Sequence, residues 1–258
     1  MIGFLIKKNF FDAWDNFFKI ALVNIGFLVS FSIPVFVPNL FASVPFLGTG
    51  FLLAGILWCF VYASAAAKTL KNISDYGSFT FADFFENLKT SWLAGLFFGG
   101  MAFALYMLCI TAIPFYLSMK SPAGLLLAAL VFWAVVTVIL ALQFFFAVLS
   151  RLETKLLRAV KKCFLLLLFD PMFCVFSLFH NLFVLAICIF PLFLFIPGPM
   201  GILLFLDEGL RLRLLKYDWL DINPGADRRK IPWDAILIEE REKTGSRSFK
   251  NFIFPWKD

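Results

Sequence analysis

Charge is scarce in this chain. Only 16% of its 258 residues are Asp, Glu, Lys or Arg, where soluble domains carry about a quarter. There is one histidine, His180, and no second metal ligand of suitable spacing accompanies it, so a metal site has no donor set. The five cysteines (59, 109, 163, 174 and 188) lie in or beside apolar runs without CxxC spacing. They read as reduced core thiols, which excludes a disulfide framework. GxSxG, HExxH, a Walker lysine loop and paired intramembrane aspartates are all missing, so an enzyme reading has nothing to stand on and no cofactor is implied.

What fills the chain instead is hydrocarbon. The hydrophobic share is 62%, and 37 residues are Phe. Several stretches exceed the roughly 18 apolar residues that mark a membrane-spanning helix. They lack the period-2 alternation of a membrane β-barrel. The expected fold is an all-α polytopic membrane bundle. Spans one to four run about Phe18–Val37, Pro45–Ala67, Leu93–Leu117 and Ala123–Leu149, joined by the Pro34/Pro38/Pro45 cluster and by "SMKSPAG" (118–124).

The stretch from Cys163 to Leu206 allows two parses. In one, Asp170-Pro171 ends an interfacial helix, span five runs Met172–Ile196, "IPGP" (196–199) turns, and span six runs Met200–Tyr217. In the other, span five is Cys163–Phe179, the turn is His180-Asn181, and span six is Leu182–Leu206. The first is favoured, because it gives Pro171 the helix N1 position and keeps Asp170 out of mid-bilayer. Both predict six spans as three hairpins over 1–217, followed by a cytoplasmic tail, 218–258.

Basic residues orient the bundle. Of 23 Lys and Arg, only Lys120 falls in the odd-side turns, and the other 22 lie on the opposite face. Both termini are therefore expected in the cytoplasm, in a bacterial inner membrane, with span one an uncleaved anchor. The net charge of +6 reads as topology and attraction to anionic lipid, with no nucleic-acid partner implied.

"NFFDAWDNFFK" (9–19), "DFFENLKTSW" (83–92) and "LLRAVKKCFLLLLF" (156–169) each precede a hairpin. They read either as a threefold repeat of interfacial helix plus hairpin or as the anchors any hairpin needs. In either case Phe is expected to face inward and Lys, Asp and Glu outward. With "FTFADFFENLKTSWLAG" (79–95) and "AVKKCFLLLLFDP" (159–171), the chain resembles the YesL-like family of bacterial integral membrane proteins. That resemblance implies a neighbour of sugar-uptake ABC transporters and supplies no catalytic residues.

A cluster of charges interrupts an apolar run at "FLDEGLRLRLLKY" (205–217). Arg211 is spaced to reach Asp207 or Glu208 on one helix face, while Arg213 and Lys216 are expected to snorkel to the interface. An ion pair at a helix end is favoured, and a proton- or substrate-binding carboxylate stays open. Asp207, Glu208, Arg211 and His180 are thus the candidate polar site. Asn24, Thr111 and Gln143 read as interhelical hydrogen-bonding groups, and Gly95, Gly99 and Gly100 as close-packing positions. "PWDAILIEEREK" (232–243) predicts a short helix. The tail is expected to dock on the helices near Phe79–Trp92 or Leu156–Phe169, through Arg247, Phe249, Lys250, Phe252, Phe254 and Trp256.

Two functions follow: a non-enzymatic accessory or scaffold protein linked to carbohydrate ABC transport, or a small-solute transporter using Asp207, Glu208 and Arg211. The expected partners are the lipid bilayer, together with ABC-transporter subunits or further copies of the chain. Against an ABC permease, "RLETKLLRAVKKC" (151–163) lacks the glycine of a coupling loop.

Overall fold

The computed structural model describes all residues except 154, 228, 229, 246 and 248–258. Among the described residues all regular structure is helical. Helix α1 is Ile2–Asp15, α2 Phe17–Leu40, α3 Pro45–Ser74, α4 Phe81–Ser118, α5 Pro122–Leu142 and α6 Phe145–Arg151. Then follow α7 Leu156–Phe169, α8 Pro171–Ile187, α9 Pro191–Phe195, α10 Gly198–Ile222, α11 Trp233–Ile236 and α12 Ile238–Thr244. Four segments (α2, α3, α4 and the α5–α6 run) are long and apolar enough to cross a membrane. The α7–α8 pair, bent by 106°, makes a fifth if counted as one span. This is an all-helical membrane protein.

Local chemistry explains the ends. Pro45, Pro122 and Pro171 occupy first-turn positions, where a missing N–H costs nothing. Ser121 caps α5 by accepting from the Gly124 amide at 3.1 Å. The break between α7 and α8 falls at Asp170, as the first parse expects. The region Phe79–Gly95 differs from expectation. It is no separate interfacial helix but the start of the continuous 38-residue α4, opened by a Thr80/Asp83 capping box. No proline separates the stretch Asp83–Trp92 from the rest of the helix, whose one internal proline, Pro114, lies near its far end, and Ser91 and Gly95 bind it to α3. A Cβ on Gly95 would sit 2.4 Å from Val61 Cα, so only glycine permits this approach. Gly99 packs likewise, on Leu57, whereas Gly100 faces open space and is not a packing position.

The core lies toward one end of the bundle. Most of residues 61–74 of α3, rich in Ala, are buried with Phe144, Phe145, Cys163, Phe173 and Phe205, Lys68 being exposed. Toward the opposite end, hairpins α2–α3 and α4–α5 continue alone with Val29, Phe36, Phe46 and Leu125 exposed. The third hairpin, α8 to α10, stops short of them. Asn24 holds its tip, donating to the Phe195 carbonyl (2.9 Å) and the Pro197 carbonyl (3.0 Å) and accepting from the Met200 amide (2.9 Å). Gly198 sits there at φ +64°, with no room for a Cβ against Asn24. From Asn24 the helix α2 rises another ~24 Å to Leu40. Tyr62, whose hydroxyl donates to the Val23 carbonyl at 2.8 Å, marks the same level on α3, about 25 Å from Pro45.

Further polar contacts hold the third hairpin laterally. Gln143 donates to the Cys174 carbonyl at 2.8 Å and accepts from Asn181 at 3.1 Å, the interhelical role expected of it. Thr111 instead bonds its own helix at Met107 and bridges nothing. Helix α10 runs past residue 217, the expected domain boundary, to Ile222.

Candidate functional site

Most of the described buried charges converge where α3 ends. Ser74 closes α3, Tyr76 takes a left-handed conformation (φ 59°), and the Gly77 amide bonds back to the Asn72 carbonyl at 2.8 Å. A helix end leaves carbonyls without intrahelical partners. Here the Ser74 carbonyl accepts from Lys8 Nζ at 3.1 Å and from Arg211 Nη1 at 3.0 Å. One peptide group thus ties α1, α3 and α10 together.

Around it run two arginine bridges. Arg151, at the end of α6, grips Asp207 through both carboxylate oxygens, with Nε–Oδ1 at 2.8 Å and Nη2 on Oδ2. The same guanidinium donates to Ser74 Oγ at 2.8 Å and pairs with Asp75 at 3.0 Å. Arg211 pairs with Asp75 and, at 2.7 Å, with Glu240 of α12. The expected pairing of Arg211 with Asp207 or Glu208 on its own helix is therefore replaced. Packing turns Asp207 toward α6 and Arg211 toward α3 and α12, where longer-range partners offer better geometry than a helical neighbour. Bidentate pairing of this kind is the strong form of the interaction.

Glu208 is fully buried, and neither carboxylate oxygen has a hydrogen-bond partner. Its electrostatic neighbours are Lys8, Asp12 and Asn9, all on α1. Lys8, also fully buried, pairs with Asp12 and lies 3.8 Å over the Tyr76 ring. This overturns the expected orientation of α1, in which Lys and Asp face outward. The cause is that α1 packs on α10, and the face carrying Leu5, Lys8 and Asp12 meets the carboxylate there.

A second cluster sits at the α7–α8 corner. Asp170 accepts from Lys216 (2.7 and 3.0 Å), Arg213 (3.2 Å) and the Tyr217 hydroxyl. Arg213 also stacks 4.4 Å over Phe173. Neither Arg213 nor Lys216 snorkels outward as expected, because the corner carboxylate needs their charge. His180 joins neither cluster. Its ring stacks on Phe205 with centroids 3.5 Å apart, and among the described residues no group of three acidic, His or Cys side chains could hold a metal.

The tail segment is docked. Leu237 and Glu240 are buried, Tyr76 donates to Glu240 at 2.8 Å, and Lys7 donates to the Gly245 carbonyl at 3.3 Å. Burial, with Glu240 beside it, holds the Tyr76 hydroxyl above its usual range. The described contacts of α12 are with α1, α10 and the turn after α3, while the tail residues Asn223, Pro224 and Ala226 line a cavity with Leu165, Leu166 and Phe169 of the expected Leu156–Phe169 helix. Arg247 pairs with Asp15 at 2.8 Å. Phe249, Lys250, Phe252, Phe254 and Trp256 lie outside the described residues.

Of the sequence candidates, the structure brings Asp207, Glu208 and Arg211 to one layer and leaves His180 apart. Sequence reasoning missed Lys8, Asp12, Asp75, Arg151 and Glu240. One signal was legible: Leu5, Lys8 and Asp12 recur at helical spacing on one face of α1. No family model matches the chain, and neither a curated protein nor a solved structure matches it.

Proposed function

We propose that this is a non-enzymatic membrane accessory or scaffold protein whose helix ends are locked into a rigid cytoplasmic cap. The observation that carries this reading is the use of the candidate site's charges. Asp207 is consumed by Arg151, and Arg211 by Asp75 and Glu240, which suits a static clasp better than a changing ligand site. The YesL-like motifs suggest a carbohydrate ABC transporter as the client. The test is co-purification of the full chain from native membranes, with cross-linking and mass spectrometry. Recovery of transporter subunits at a fixed ratio supports it, and recovery of the chain alone from every membrane preparation refutes it.

The topology that fits this role keeps both termini cytoplasmic, in a bacterial inner membrane. In this reading four segments cross, and the third hairpin enters from the cytoplasmic side and returns. In favour of this, α2 and α3 carry about 25 Å of lipid-exposed apolar helix beyond the tip at Asn24, most of the ~30 Å hydrocarbon core. A cysteine replacing Lys120 should react with an impermeant maleimide from outside, and one replacing Phe193 should not. Outside labelling at both positions restores six spans.

One observation favours transport as a second reading. Five carboxylates (Asp12, Asp75, Asp207, Glu208 and Glu240) meet three cations (Lys8, Arg151 and Arg211), and Glu208 has no hydrogen-bond partner. Solute uptake in proteoliposomes that disappears with Glu208→Gln would move the protein to that class.

A further inference from the structure

A cavity of about 930 Å³ opens between α3, α4, α6 and the start of α7, and Ser150 in its wall reaches Asp207 of the first cluster at 3.5 Å. Three cations line it: Lys68, Lys155 and Arg158. Among its described lining residues there is no carboxylate. Lys155 and Arg158 make no ion pair among the described residues, and Lys68 donates only to the Thr90 hydroxyl, at 2.8 Å. No carboxylate among the described residues pairs with any of the three.

The remaining lining adds hydroxyls and hydrocarbon. Ser64, Ser91 and Ser150 supply hydroxyls, while Leu93, Phe146 and Leu149 supply apolar wall. Leu93 and Leu157 at the rim are 53% and 75% exposed, so the opening continues into lipid-facing surface. The first turn of α7 forms one side, adding the positive end of a helix dipole. Lys68 also marks the level at which α3 leaves its apolar run, which is where a headgroup layer begins.

We infer that this cavity is a binding site for an anionic phospholipid: the phosphate lies among Lys68, Lys155 and Arg158, and an acyl chain runs out past Leu93 and Leu157. Charge complementarity decides the headgroup, and the lipid-facing rim decides the source. A soluble phosphate ester would gain nothing from the apolar exit. Basic pockets between membrane helices on the cytoplasmic side bind acidic headgroups by this chemistry.

The experiment titrates detergent-purified full-length protein with phosphatidylglycerol or phosphatidylcholine and counts bound lipid by native mass spectrometry. Phosphatidylglycerol should bind in preference, and each of Lys68→Gln, Lys155→Gln and Arg158→Gln should weaken it about five-fold. Lys89→Gln and Lys161→Gln, exposed cations on α4 and α7 that do not line the cavity, should change it less than about two-fold because solvent screens them. Arg158→Gln alters an exposed side chain with no ion-pair partner among the described residues, so it remains informative if another variant fails to fold. Equal binding of the two lipids, or equal loss in the Lys89 and Lys161 controls, overturns the site. Complete displacement of phosphatidylglycerol by equimolar inorganic phosphate overturns the lipid as its ligand.

Discussion

The pairing of Asp207 with Arg151 makes the sharpest test of the clasp. Asp207→Asn removes the charge while keeping the shape and leaves a guanidinium only 10% exposed. Breaking a buried pair by removing one partner costs about 3–5 kcal/mol. Arg151 keeps Ser74 Oγ and Asp75, so the lower end applies, about 3 kcal/mol. For a chain of this size that is a fall of roughly 6–12 °C in the thermal midpoint, measured in lipid nanodiscs. Arg151→Gln should cost a similar amount, and the double variant should cost less than their sum by about 2 kcal/mol, the coupling of a directly bonded pair. Arg211→Gln combined with Asp207→Asn should show weaker coupling, since the two side chains use different partners. Stronger coupling of Asp207 to Arg211 than to Arg151 would refute the inter-helix clasp and restore a pairing within α10.

Glu208→Gln should leave the midpoint unchanged or raise it, because it alters a carboxyl buried beside Asp12 without a hydrogen-bond partner; a fall as large as that of Asp207→Asn would mean the carboxyl is paired. Asn24→Ala strands two carbonyls and the Met200 amide at the third hairpin's tip, costing about 3 kcal/mol. Faster alkylation of the nearby Cys188 would register the loosening, and an unchanged rate would refute it. Tyr76→Phe should speed proteolysis after Arg241 and Lys243 at pH 8, and equal rates would show the phenol is not a docking contact. The raised Tyr76 value means its share of docking is intact below about pH 10 and lost as pH climbs through the higher folded-state value. An alkaline-tolerant protease should therefore cut the wild-type tail faster only above that point.

Composition alone determined that the chain is helical and belongs in a membrane, since so much hydrocarbon has no other solvent. Proline signals located the helix starts at Pro45 and Pro171 and, to within one residue, the start at Pro122, because those depend on the missing N–H and its nearest neighbours. Three matters were decided only by tertiary structure. Helical spacing offered Arg211 to Asp207, but a neighbour at i+4 competes with every cation that packing delivers, and α6 delivered Arg151. Lys8 and Asp12 looked like outward anchors until α1 met the Glu208 face of α10, where burial of one charge demands others. Apolar length read 163–217 as two long segments, yet length says nothing about how they fold on the others. That follows from Asn24, one side chain on α2 that bonds the third hairpin's tip about 24 Å short of that helix's end.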